Sequence, residues 1–162
     1  VEAARCFSQG FAGDVYFVAL SDLQDAALLP EAILDALSGR AAAGPSSTSS
    51  LEKVIEALSH RPVLLLLDNF EQLVAGGGAL VRSLVESVPQ LRVLVTSRQR
   101  LGVRGEREFV LMPLPIPRAP EVGDSPQALE KYVSVQLFVD RAGAVRSDFE
   151  LQDSNAPVVA QL

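Results

Sequence analysis

Two segments of the 162-residue chain carry residue types from which a site is made. One is Val63-Leu64-Leu65-Leu66-Leu67 followed by Asp68 and Asn69; the other is Leu91-Arg92-Val93-Leu94-Val95 followed by Thr96, Ser97 and Arg98. Each reads as a strand that ends in polar groups, the first of them a buried one. Ligands of open α/β sheets gather beyond the carboxyl ends of the strands, so both sets of polar groups fall where a site forms. A carboxylate held rigidly at such an end suits a magnesium ion that bridges nucleotide phosphates. The hydroxyls of Thr96 and Ser97 and the guanidinium of Arg98 suit a terminal phosphate, to which arginine donates in a planar fork. Glu71 adds a second acidic group shortly after Asp68, with its aim left open. Each residue also has a plain structural role available: Asp68 as a turn residue, Thr96 and Ser97 as loop caps, and Glu71 as a first-turn acid on a helix.

The elements that must position these groups follow from period and punctuation. Asp14 to Leu20 reads as a strand covered on both faces, broken by Ser21-Asp22. Asp25 to Ser38 places Leu28, Leu29, Ala32, Ile33, Ala36 and Leu37 on one helical face, with Gly39 as its stop. Residues 39–50 form a small-residue loop. Ser49 and Glu52 match a capping box for a helix carrying Leu51, Val54, Ile55 and Leu58, which His60-Arg61-Pro62 closes. A helix from about Glu71 to Val88 is expected to break at Gly76-Gly77-Gly78, since three glycines cost roughly 3 kcal/mol of propensity relative to alanine. Glu108 to Met112 reads as a further short strand, and a long helix is expected from about Gln127 to Val145, with Val135, Phe138, Val139 and Ala142 on one stripe. Asp153 to Pro157 reads as a helix start. Residues 1–9 read as the end of a helix stopped at Gly10, with Cys6 as a small buried side chain. Strands alternating with helices give an α/β class with a mainly parallel sheet flanked by helices. The domain reading is an α/β core over 1–112, a proline-rich linker over 113–126 and the start of a helical domain over 127–162.

Composition excludes several classes. At 48% apolar and 21% charged residues the chain is not disordered as a whole. A net charge of −6 lacks the cationic character of a nucleic-acid binder, and Glu106 and Glu108 offset the basic run Arg98, Arg100, Arg104 and Arg107. No apolar run approaches the roughly 20 residues of a membrane span. One cysteine permits no internal disulfide, and with His60 as the one histidine a structural zinc site is not expected. Val1 opens the chain, Met112 is its one methionine, and no secretory signal is present. The expectation is therefore a segment of a longer cytoplasmic protein.

Leu64-Leu65-Leu66-Leu67-Asp68-Asn69-Phe70-Glu71-Gln72-Leu73, taken with Leu91 to Val103, resembles the STAND class of signalling ATPases. More narrowly, it is similar to the ATPase module of large bacterial transcriptional regulators, related to the NB-ARC domains of plant resistance proteins. The likeness extends upstream to Val15–Leu20 and downstream to Val135–Ala142. The resemblance implies a P-loop NTPase-like core, incomplete here, that uses ATP/ADP and Mg2+. It matches Asp68 to the Walker B aspartate that acts on magnesium, Arg98 to the sensor arginine near the terminal phosphate, and Thr96 and Ser97 to the same sensor motif. Many relatives place a second acid directly after the Walker B aspartate; Asn69 stands there, which leaves Glu71 as the remaining acidic candidate for catalysis.

The family's phosphate loop, Gly-x-x-x-x-Gly-Lys-Ser/Thr, has no counterpart, because neither lysine, Lys53 or Lys131, follows a glycine. By resemblance it would lie upstream of Val1, and the helical domain would continue beyond Leu162. The implied role is a nucleotide switch in a transcriptional regulator. Its implied partners are nucleotide and the remainder of its own chain, with oligomerisation on activation, no nucleic-acid contact from this segment and no membrane. The alternative is a non-catalytic α/β protein-interaction scaffold with a degenerate nucleotide site. A flavodoxin-like receiver would need clustered acids after the first strand, which Ser21-Asp22 matches poorly. Without the loop most phosphate contacts are missing, so the purified 162-residue chain is expected to hydrolyse no ATP. Phosphate release above the buffer blank would contradict this.

Overall fold

The computed structural model describes residues 10–38, 49–117 and 125–161. Three strands, β1 (Asp14–Ala19), β2 (Val63–Asp68) and β3 (Leu91–Val95), form a parallel sheet in the order β1-β2-β3. Asp14 pairs with Val63 and Ala19 with Asp68; Val63 pairs in turn with Leu91 and Leu67 with Val95. Parallel neighbours need crossovers. Here α1 (Leu29–Ser38) and α2 (Ser50–Leu58) lie between β1 and β2 in the chain, and α3 (Val74–Ser87) lies between β2 and β3. The expected α/β class with a parallel sheet flanked by helices is what forms.

The core gathers on β2, which is buried from Val63 to Leu67. Ile33, Val54, Leu58, Phe70, Leu73 and Leu84 pack around it. Ser49 caps α2 as its spacing predicts. Its Oγ accepts the Glu52 N–H at 3.3 Å, and the Glu52 carboxylate accepts the Ser49 N–H at 3.1 Å. β1 departs from expectation: Val18 is its one buried residue, while Phe17 and Ala19 are exposed. Side chains of a strand alternate, so Tyr16 and Val18 meet the core and Phe17 points to the other side.

Helix α3 runs unbroken through Gly76, Gly77 and Gly78. Gly77 and Gly78 are buried, and the reason is steric. A Cβ on Gly77 would sit 2.7 Å from Cζ of Phe70, and one on Gly78 would sit 2.8 Å from the carbonyl oxygen of Leu101. Close approach of the Phe70 ring and the 101 backbone outweighs the helix propensity that the glycines forgo.

The chain divides into two compact units, Val1–Glu108 and Phe109–Leu162. The second contains α4 (Pro126–Leu129), α5 (Val133–Val145) and α6 (Ala156–Val159) around Leu129, Val135, Ala156 and Val159. Three expectations are corrected or refined here. Glu108 to Met112 is not a strand: a strand exists through its partner's hydrogen bonds, and this segment joins no ladder among the described residues, leaving Phe109 85% exposed. The helix expected over Gln127 to Val145 is two helices, because Tyr132 is extended (φ −90°, ψ 124°) while its N–H returns to the Leu129 carbonyl at 3.0 Å. That turn lets Leu129 and Val135 enter one small core. Of the predicted stripe, Val135 is buried, whereas Phe138 lies exposed, edge-on to Phe149 with ring centres 5.8 Å apart.

Pro157 sits in the first turn of α6, as its position suggested. Pro113, Pro115 and Pro117 lie in irregular chain, and the Ser134 hydroxyl donates to the Pro115 carbonyl at 2.7 Å. The readings for residues 1–9, 39–48 and 118–124, Cys6 included, fall outside the described residues. Among the described residues no helix is long and apolar enough to cross a membrane.

Two glycines with opposite surroundings test this packing. Gly77→Ala is expected to destabilise the first unit by about 1–3 kcal/mol, as overpacking does. Gly143→Ala, on α5 with nothing within 4 Å of the added carbon, is expected to stabilise the second by up to about 1 kcal/mol. Urea unfolding of the two variants against the parent chain measures both.

Candidate functional site

Asp68 is the first polar side chain after a fully apolar strand, and main-chain bonds hold it at the sheet's edge. The Leu20 N–H donates to the Asp68 carbonyl at 3.0 Å, and the Thr96 N–H donates to the Leu67 carbonyl at 3.0 Å. All three strand ends are thereby in register where β2 stops. Side chains then knit them. The Thr96 hydroxyl donates to Oδ1 of Asp68 at 2.5 Å and accepts the Asn69 N–H at 2.9 Å. Asn69 adopts φ +68°, a left-handed conformation that asparagine tolerates better than most side chains. The turn is pinned on its far side. Asn69 Nδ2 donates to Oε1 of Gln72 at 3.3 Å, and Gln72 Nε2 donates to the Leu20 carbonyl at 2.6 Å. Next along the chain Phe70 is fully buried, and its N–H donates to the Thr96 carbonyl at 3.0 Å.

The charged groups sort themselves around this frame. Arg98 pairs with Glu71, Nε to Oε1 at 3.5 Å. Ser97 turns its hydroxyl to accept the Gln99 N–H at 3.1 Å, the local cap that its residue type allows. The loop beyond is stiffened by Glu106, whose carboxylate accepts the N–H groups of Leu101, Gly102 and Val103 at 3.1, 2.9 and 3.3 Å. Glu106 therefore binds backbone rather than a neighbouring arginine, whereas Glu108 does pair with Arg100. Gly102, at φ +69°, supplies a conformation that a larger residue would strain to reach.

Comparison with known proteins adds a distant likeness. The chain is 31% identical over 114 residues to an uncharacterized protein of Mycobacterium tuberculosis, covering 70% of this chain and 25% of that protein. It is 33% identical over 119 residues to a Mycobacterium bovis protein named "Putative HTH-type transcriptional regulator", covering 74% of this chain and 12% of that one. A Mycobacterium tuberculosis protein of the same printed description matches to the same extent. The chain thus spans about a quarter of the length of the first relative and about an eighth of the second. No family model matches, and no solved structure matches.

Of the residues singled out by sequence, Asp68 and Thr96 are joined directly, Glu71 and Arg98 are joined to each other, and Ser97 is engaged with its own loop. Sequence reasoning passed over Gln72, which spans 52 residues to reach Leu20 and leaves no local signature. Asn69 did leave one, since an Asn after a buried strand is suited to a left-handed turn. No group of three or more His, Cys, Asp or Glu could hold a metal among the described residues. A lone fixed carboxylate fits magnesium bridged by phosphates, which keeps water and takes one or two protein carboxylates; it does not fit an all-protein cage.

Thr96→Val removes the hydroxyl that serves both Asp68 and Asn69. At this exposed position it is expected to cost about 1 kcal/mol, and Thr96→Ser is expected to retain most of that. The shift in urea midpoint of the two variants distinguishes hydroxyl from methyl.

Proposed function

We propose that this chain is part of an ATP-dependent signalling switch within a transcriptional regulator. The observation that carries the reading is the Thr96–Asp68 hydrogen bond, which unites the two polar strand ends in one place. The likeness to proteins named as HTH-type regulators supports the regulatory half of the proposal. In this reading Asp68 would hold Mg2+, and Thr96, Ser97 and Arg98 belong to the strand end that would meet the terminal phosphate, with the Arg98 guanidinium as its donor. The ion, when bound, neutralises charge on the phosphates. Thr96 keeps the Asp68 carboxylate from turning, and Asn69 and Gln72 keep the turn beneath it from opening. The remaining phosphate contacts would need a Gly-Lys-Ser/Thr loop, which this sequence does not contain. Hydrolysis or exchange would switch the state of the chain, in the manner of order–disorder switches. The setting is cytoplasmic, with oligomerisation as the response to activation.

Two features favour a second reading, a scaffold whose nucleotide site has decayed: Asn69 stands where a second acid is common in the family it resembles, and no Gly-Lys-Ser/Thr occurs in this sequence. Upstream sequence separates the two. A Gly-x-x-x-x-Gly-Lys-Ser/Thr within roughly 25 residues of Val1 supports the switch, and its absence supports the scaffold. In the full-length protein, Asp68→Asn is expected to weaken ATP binding in Mg2+ on the order of tenfold, while leaving binding in EDTA little changed. Calorimetric titration with and without Mg2+ reads the difference; equal losses in both would remove Asp68 from metal binding.

A further inference from the structure

The ion pair between Glu71 and Arg98 is held unequally by its two ends. Glu71 opens the 3-10 turn Glu71–Leu73, which follows the core residue Phe70 and ends in another, Leu73. Its side chain is 25% exposed, whereas that of Arg98, on the loop after β3, is 90% exposed. The glutamate is thus part-buried, whereas the arginine stands almost wholly in solvent. Asp68, although three residues from Glu71, is held by Thr96 and joins no ion pair among the described residues. Arg98 therefore rests on Glu71 rather than on the strand-end carboxylate.

We infer that Glu71 is a resident counter-anion for Arg98, which a terminal phosphate must displace, and that it thereby sets discrimination between nucleoside triphosphate and diphosphate. This rests on the nucleotide reading proposed above. An exposed pair of this kind shifts an equilibrium by no more than about fivefold, which a multiply charged phosphate overcomes. A diphosphate has no terminal group to compete for the arginine, so it leaves the pair intact. In this proposal Glu71 acts through Arg98 and is a positioning residue.

The test titrates ADP and a non-hydrolysable ATP analogue, each with Mg2+, into the full-length protein and its Glu71→Gln variant, which keeps shape and removes charge. Affinity for the ATP analogue is expected to rise about two- to fivefold, with ADP unchanged and the gain fading in high salt. The same substitution in an Arg98→Gln background is expected to change neither affinity, since the coupling runs through the arginine. An equal shift for both nucleotides, or none for either, overturns the inference. So does loss of ATP hydrolysis with an unchanged affinity ratio, which would assign Glu71 to the chemistry. If the unsubstituted protein binds neither nucleotide, the nucleotide reading itself falls, and the inference falls with it.

Discussion

Between residues 63 and 67 the chain offers no polar side chain, and the fold buries that stretch between two hydrogen-bonded neighbours. A strand paired on both edges and covered by helices has no place for a charge along its length. The first carboxylate in the sequence after this run must therefore stand at the strand's exit. Asp68 does so, half-buried, with its main chain still tied to Leu20. Everything proposed for the site depends on that placement, because a carboxylate on a free loop would have no fixed position to offer.

The groups around Asp68 are individually weak and partly exposed, so their geometry is borrowed from the core beneath. The Thr96 hydroxyl joins Asp68 to Asn69, and Asn69 turns the chain sharply so that Phe70 drops into the interior. Phe70 fits only because Gly77 lacks a side chain where the ring lies. The glycines of α3 thus serve the site indirectly: they admit the aromatic anchor that holds the turn after Asp68. Gly78 does the same for Leu101, at the foot of the loop that follows Arg98.

Features governed by neighbours in sequence were legible before the fold was known. The capping box at Ser49 and Glu52 and the apolar run of β2 act over a few residues and formed as read; the helix read from Asp25 instead starts at Leu29, after a 3-10 turn over Ala26–Leu28 that leaves Leu28 exposed, and β3 forms with Leu94 exposed. Features governed by distant neighbours were not. Three consecutive glycines read as a helix break because propensity counts only the local cost. Glu108 to Met112 read as a strand because residue type says nothing of whether a ladder partner is present. The division at Tyr132 answers to Leu129 and Val135 sharing a core, which apolar spacing alone does not encode.

The same division runs through the site. Sequence alone determined which residues stand at the strand ends, since the apolar run Val63–Leu67 is closed by Asp68 and the mostly apolar strand Leu91–Val95 by Thr96, Ser97 and Arg98. Only the tertiary structure decided who meets whom: Thr96 takes Asp68, Glu71 takes Arg98, and Gln72 reaches back to Leu20. Those pairings link residues 27 to 52 positions apart. Side-chain hydrogen bonds and ion pairs act over a few ångströms, and separation along a chain becomes a distance only when the sheet sets its register.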